Sequence, residues 1–219
     1  MTKPSLEHRL LFQLPYPTPR PALFLDRDGV LIEDRHHLSD PKEVAICPGV
    51  RALLERAQQQ GWPVVVITNQ SGIARRYFDW AAYTRVTERL LELLGPMAPI
   101  DAIYANGYGP DAPDTSWRKP SPAMLLAAAK ELNLDLSRSL LIGDRLSDLQ
   151  AGAAAGLPLL VHVLCGHGQL ERPRVAACIS HSGHFTGENL SRAQAKVILL
   201  KSLLDFPPGL LGPQALQPR

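Results

Sequence analysis

Five short apolar runs, separated by segments of helical periodicity, restrict this chain's fold more than any other feature of it. They read "ALFLD" (22–26), "PVVVIT" (63–68), "DAIYA" (101–105), "SLLIGD" (139–144) and "PLLVHVL" (158–164). Near-continuous apolar character suits strands covered on both faces, as in a parallel sheet. The segments between them start and stop as helices do. Pro48 precedes "GVRALLERAQQQ" and Gly61 ends it, Asp79 can cap "WAAYTRVTERLLELL" with Gly95 beyond, and Ser121 and Pro122 open "AMLLAAAKEL". A last helix is expected from near Asn189 to about Asp205. Strand and helix in alternation imply right-handed crossovers, hence an α/β fold with a doubly wound, mainly parallel sheet and helices on both faces.

The ends of the chain read differently. Residues 1–21 close in "LPYPTPRP", an extended proline-rich arm, and 206–219 form a tail rich in Pro and Gly. That leaves 22–205 as the folded domain. Between Asp28 and the helix after Pro48, and again over 106–118, too few residues are available for a separate cap domain.

A doubly wound sheet binds ligands beyond the carboxyl ends of its strands. Four of the five runs leave polar residues there: Asp26 and Asp28 after the first, Thr68, Asn69, Gln70 and Ser71 after the second, Asn106 after the third, Asp144, Arg145 and Asp148 after the fourth. "RKPSP" (118–122) stands at a helix N-terminus, which favours anions. Each of these alone has an ordinary structural reading as a turn or cap; their arrival in order at one sheet edge points to chemistry. Asp26, Asp28 and Asp144 would repel one another without a cation, and hard carboxylate oxygens suit Mg2+. Arg118, Lys119 and Arg145 add more positive charge than that needs, which suits a phosphate. One carboxylate can attack phosphorus, a second two residues on can shuttle the proton, and a hydroxyl and an ammonium can hold the phosphoryl oxygens.

"FLDRDGVL", "VITNQSG", "RKPSP" and "IGDRLSD" resemble, in order and spacing, the four motifs of the haloacid dehalogenase superfamily of phosphatases, over roughly residues 22–165. "LDRDG", "TNQSGIAR" and "RKPSPAML" look like the branch that holds heptose bisphosphate phosphatases and the histidinol-phosphatase domain. The resemblance implies a phosphomonoesterase acting on a small sugar phosphate, with Asp26 as nucleophile and Asp28 as general acid/base. Mg2+ would be held by the Asp26 carboxylate, the Asp28 main-chain carbonyl and Asp144, and the phosphoryl group by Thr68 and Lys119. Substrate contacts are implied for Arg27, for Asp34 to His37, for Asn69, Gln70 and Ser71, and for Arg118 and Arg145, with Asp148 as a helix cap or partner of these groups. Many members of the branch hold a structural zinc in the loop before the RKP motif. Here that loop, 105–117, has neither Cys nor His, Asn106 and Tyr108 stand near the ligand positions, and no zinc is expected there.

A signalling receiver domain also gathers acidic residues, a Thr and a Lys-Pro around Mg2+. Its nucleophile ends the middle strand, whereas the third run here ends "YANGY". His36 and His37 read as a surface or substrate-contacting pair, because no third metal ligand lies nearby in sequence. Cys165, His167, Cys178, His181 and His184 match no standard zinc spacing. The three cysteines give no disulfide framework and suit a reducing cytoplasm. Basic and acidic residues, 23 against 21, are interspersed without a basic stripe, so nucleic acid is not an expected partner. No apolar run approaches the roughly 20 residues of a membrane span. A monomer that takes a small phosphorylated substrate is the expectation.

Overall fold

The computed structural model describes residues 5–186 and 195–212. Seven strands form one sheet: β1 (Glu7–Leu11), β2 (Leu23–Leu25), β3 (Val64–Asn69), β4 (Ala102–Asn106), β5 (Leu140–Gly143), β6 (Leu159–His162) and β7 (Lys196–Leu199). Their spatial order is β1-β4-β3-β2-β5-β6-β7, and every pair is parallel except β1 with β4. The chain therefore runs outward from β2 in both directions. The switch point between β2, β3 and β5 is where such a sheet opens a crevice.

Alternation along the strands divides the core in two. Leu23, Leu25, Val64, Val66, Leu140 and Ile142 face one side and pack on α1 (Val50–Gln59) and α2 (Trp80–Leu94). Phe24, Val65, Ile67 and Leu141 face the other, against α3 (Ala123–Leu132), α4 (Leu146–Ala154) and Val175 of α5 (Gly168–Ala177). The expected caps are present: the Asp79 carboxylate accepts from Ala82 N at 2.8 Å, and Gly95 ends α2 with φ 72°. Pro122 is the N-cap of α3, one residue beyond the expected Ser121.

Three expectations need correction. Residues 7–11 are not part of a free arm but the antiparallel edge strand, with Glu7 opposite Asn106, and Tyr16 Oη donates to Asp101 Oδ1 at 2.7 Å. The final helix is absent where the structure describes it: 196–199 is β7, paired with β6, and a 3-10 turn at Leu203–Asp205 follows. Residues 189–194 of that expectation lie outside the described residues. Nor is 206–212 detached, since Phe206 and Leu211 are buried in the core that holds α1. Of the described residues, none lies in a helix long and apolar enough to cross a membrane.

Candidate active site

β2 is central and short, so its last residue is followed at once by the site. Asp26 N donates to Ile142 O of β5 at 3.1 Å, which carries Asp26 just past the sheet edge. Asp26 is buried, as are Thr68 at the end of β3, Lys119 before α3, and Asp144 and Asp148 around the start of α4. They meet in a single group. Lys119 Nζ lies 2.9 Å from Asp26 Oδ1 and 2.6 Å from Asp148 Oδ1, and donates to Ile67 O at 3.0 Å. Asp148 Oδ2 accepts from Arg145 N at 2.9 Å, so one carboxylate both caps α4 and fixes the lysine.

Burial opposes ionisation of Asp26, Asp144 and Lys119. The Asp26 carboxyl is pushed up to about 7, chiefly by desolvation, although Lys119 pulls the other way. Asp144 is pushed up to about 9 by desolvation and by Asp148 and Asp26. Lys119 stays charged: desolvation lowers its pKa, and the two adjoining carboxylates more than restore it. One ammonium does not offset three carboxylates.

The donor set fits a hard cation. Asp26, Asp144 and Asp148 each bring a carboxylate oxygen within 4.8 Å of the others. Asp148 is already committed to Lys119 and Arg145, and Asp144 Oδ2 accepts from His167 N at 2.7 Å. Asp144 Oδ1, however, is buried without a hydrogen-bond partner. A buried carboxylate oxygen left bare costs free energy unless something absent from the protein pairs with it. Two glycines with positive φ give the other oxygen its room: a Cβ at Gly29 or at Gly166 would lie 2.5 Å from Asp144 Oδ2.

Asp28 is held differently. Arg27 donates to both its oxygens, from Nε at 3.1 Å and Nη2 at 3.0 Å, and Gln70 Nε2 adds a bond at 2.8 Å. Gln70 Nε2 also reaches Thr68 Oγ1 at 2.8 Å. Asn69 clamps the Lys119 backbone from both sides, accepting from its N–H at 3.1 Å and donating to its carbonyl at 3.2 Å. Arg27, Asn69 and Gln70, expected on the substrate, line the cleft and also hold Asp28, Thr68 and Lys119 in place. Arg27 is only 1% exposed, with its guanidinium over the Tyr83 ring at 5.2 Å. Full burial beside an aromatic face leaves it little freedom to follow a ligand.

Above this floor opens a cleft of about 530 Å³. Ser71, Asp34, His37, Arg118 and Arg145 all line it, as do the braced Arg27, Asn69 and Gln70. His37 stacks edge-on with Tyr77, ring centres 4.8 Å apart. Three polar lining residues were not among the expected set: Arg75, Ser147 and His167. Arg75 sits inside the quoted "TNQSGIAR", and only its place beside Arg118 marks it. Burial and the nearby Arg75 and Arg145 lower the Arg118 pKa, which shows three guanidiniums sharing one space. A fourth omission is His162, at the end of the one strand that seemed to carry no chemical group. Its Nδ1 accepts from Arg172 Nε at 3.0 Å, so Nε2 is the donor to Asp144 O at 2.9 Å. Burial and Arg172 push its pKa down to about 4.

The loop at 105–117 is held by the protein itself. Gly107 N donates to Leu6 O, Trp117 N to Glu7 Oε1 at 3.0 Å, and Arg118 Nη1 to Tyr108 O at 3.1 Å. Asn106 Nδ2 bridges Tyr108 O and Asn69 Oδ1, both at 3.3 Å. Of the Cys and His residues around 165–184, His167 turns into the cleft, and among the described residues they form no common cluster.

The profile of the haloacid dehalogenase-like hydrolases matches residues 26–156. Over 149 residues, 65% of this chain and 69% of the relative, the sequence is 49% identical to a D-glycero-beta-D-manno-heptose-1,7-bisphosphate 7-phosphatase of Mesorhizobium japonicum. A protein of the same name from Photorhabdus laumondii is 32% identical over 199 residues, 88% of this chain and 96% of its own. Among solved structures, the D,D-heptose 1,7-bisphosphate phosphatase of B. bronchiseptica, complexed with magnesium and phosphate, superimposes with a TM-score of 0.67 at 31% identity, covering 84% of this chain and 93% of that one.

Proposed function

The chain belongs to the haloacid dehalogenase-like hydrolases and is a phosphomonoesterase, and we propose that it removes the 7-phosphate of D-glycero-D-manno-heptose 1,7-bisphosphate. The observation that carries the substrate is the division of the cleft into two cationic zones. Lys119 serves the carboxylates on the floor, while Arg75, Arg118 and Arg145 share the wall, where Arg145 Nη2 keeps a loose contact, 3.8 Å, with Asp34 Oδ2. A substrate with one phosphate to lose and another to be gripped uses both. The heptose relatives named above act on a molecule of that kind.

In the proposed reaction an Asp26 oxygen attacks phosphorus as the ester P–O bond breaks, giving an aspartyl-phosphate. Asp28 gives its proton to the departing sugar oxygen, then takes one from the water that attacks phosphorus and releases inorganic phosphate. Arg27 and Gln70 aim the Asp28 carboxylate for both transfers. Thr68 and Lys119 donate to the phosphoryl oxygens while charge redistributes. Asp26, Asp144 and the Asp28 carbonyl would hold Mg2+, which supplies the charge that lets Asp26 stay ionised beside a phosphate dianion.

Steady-state phosphate release from the heptose bisphosphate, the heptose 7-phosphate and histidinol phosphate tests this reading. The bisphosphate should have the highest kcat/KM, and Arg75→Ala with Arg118→Ala should remove most of its advantage through KM. Equal efficiency on all three substrates, or variants that affect them alike, would refute the assignment.

A further inference from the structure

We propose that Asp34, His36 and His167 form a second metal site, at the mouth of the cleft, for a borderline transition-metal ion of the zinc class. Asp34 Oδ2 lies 2.6 Å from His167 Nδ1, and the His36 and His167 rings stand 5.5 Å apart at 75°. One donor atom from each of the three residues lies within 4.8 Å of the others. Two imidazoles and a carboxylate prefer zinc or cobalt, while the all-carboxylate group on the cleft floor prefers magnesium, so the two sites are chemically separable. Three protein ligands leave a fourth position open towards the cleft.

The local backbone is arranged for this set. His36 has φ 49°, a conformation uncommon outside glycine and asparagine, and Asp34 Oδ1 holds it by accepting from His36 N at 2.9 Å. Donors around tetrahedral zinc stand roughly 3.3 Å apart, so the Asp34 to His167 contact has to open by less than an ångström. A cation already occupies the neighbourhood. Arg145 Nη2 lies 2.8 and 3.0 Å from the two His167 ring nitrogens and 3.8 Å from Asp34 Oδ2. Its side chain is 44% exposed, free to swing out when a metal replaces it. Arg145 belongs to the proposed phosphate grip, so a filled site withdraws one guanidinium and slows hydrolysis. That effect rests on the proposed function; the metal site does not.

Cobalt titration of the full-length protein, with Mg2+ in large excess to occupy the floor carboxylates, reads the site through the visible absorption of tetrahedral Co2+, and Zn2+ calorimetry gives its stoichiometry. One equivalent should bind. His36→Asn, which suits the left-handed backbone, and His167→Asn should each weaken it at least about tenfold. Absence of bound ion under excess Mg2+, or unchanged affinity in both variants, would overturn the site. Zn2+ should lower kcat/KM of the parent protein several-fold and of His36→Asn much less; binding without inhibition would overturn the proposed withdrawal of Arg145.

Discussion

Replacing Asp26 with Asn should make the metal-free protein more stable while abolishing its activity. The carboxyl rises from an ordinary 3.8 to about 7 because it is buried beside Asp148 and Asp28, with Lys119 offsetting only part of the cost. That rise corresponds to roughly 4 kcal/mol of disfavoured ionisation above pH 7. Asp144, pushed up to about 9, still holds its proton at pH 8 and adds no charge to that cost. About 4 kcal/mol is therefore the expected gain from the amide at pH 8, or about 12 °C in Tm for a domain of this size. The amide keeps the geometry: Asn Oδ1 can still accept from Arg27 N and Lys119, as Asp26 Oδ1 does at 2.8 and 2.9 Å. Urea unfolding in EDTA at pH 8 measures the gain. Added Mg2+ should stabilise the parent and not the variant, reversing their order, and kcat should fall by at least on the order of 10⁴. A variant less stable than the parent in EDTA, or one retaining a per cent of parental turnover, would refute the account of Asp26 as a strained nucleophile.

The raised carboxyl pKa values also fix the sign of a pH effect. Between about 4 and 9 the metal-free folded chain holds protons on Asp26 and Asp144 that the unfolded chain has lost, so its stability falls as pH rises through this window. Mg2+ displaces those protons; the rise in Tm that it produces should grow from pH 6 to pH 9, with proton release visible in calorimetry in two buffers of different ionisation enthalpy. A pH-independent rise would count against these ligands. Gly143→Ala should be far more damaging than Gly156→Ala. A Cβ at Gly143 would stand 2.3 Å from Asp148 Cβ and 2.5 Å from its Oδ2, whereas at Gly156 it meets nothing within 4 Å and only φ 84° resists it. Expected costs are about 3 and about 1 kcal/mol, and only Gly143→Ala should also reduce kcat, because displaced Asp148 releases Lys119.

The catalytic set could be read from the sequence because each member follows directly from a strand or helix end. Asp26, Thr68 and Asp144 are placed by β2, β3 and β5, whose apolar runs are unmistakable, and the switch-point rule brings them together. The outer strands gave no such signal. β1 alternates partly buried with exposed residues and runs into prolines, and the "KVIL" of β7 lies within "AKVILLKSLL", which also suits a helix. Hydrogen bonds to β4 and β6 decide those segments, and such partners are not local. Helix α5 was missed because it carries Pro173 and little apolar patterning. The same limit applied to roles. Arg27 and Gln70 read as ligand contacts from their motifs, and burial and bond partners add a supporting role to their place in the cleft lining. His36 looked like a pair with His37 until the turn after β6 brought His167 to it.

The contacts of β1 with the 105–117 loop have a consequence for assembly. Leu6 and Glu7, near the start of the chain, secure a wall of the cleft through Gly107 and Trp117, about 100 residues later in synthesis. Pairing over such a separation is slow, because the intervening chain must be ordered before the contact forms. The central strands and their carboxylates can therefore be in place while the entrance to them is still unfinished, and a segment made well before that loop waits for it to find its partner.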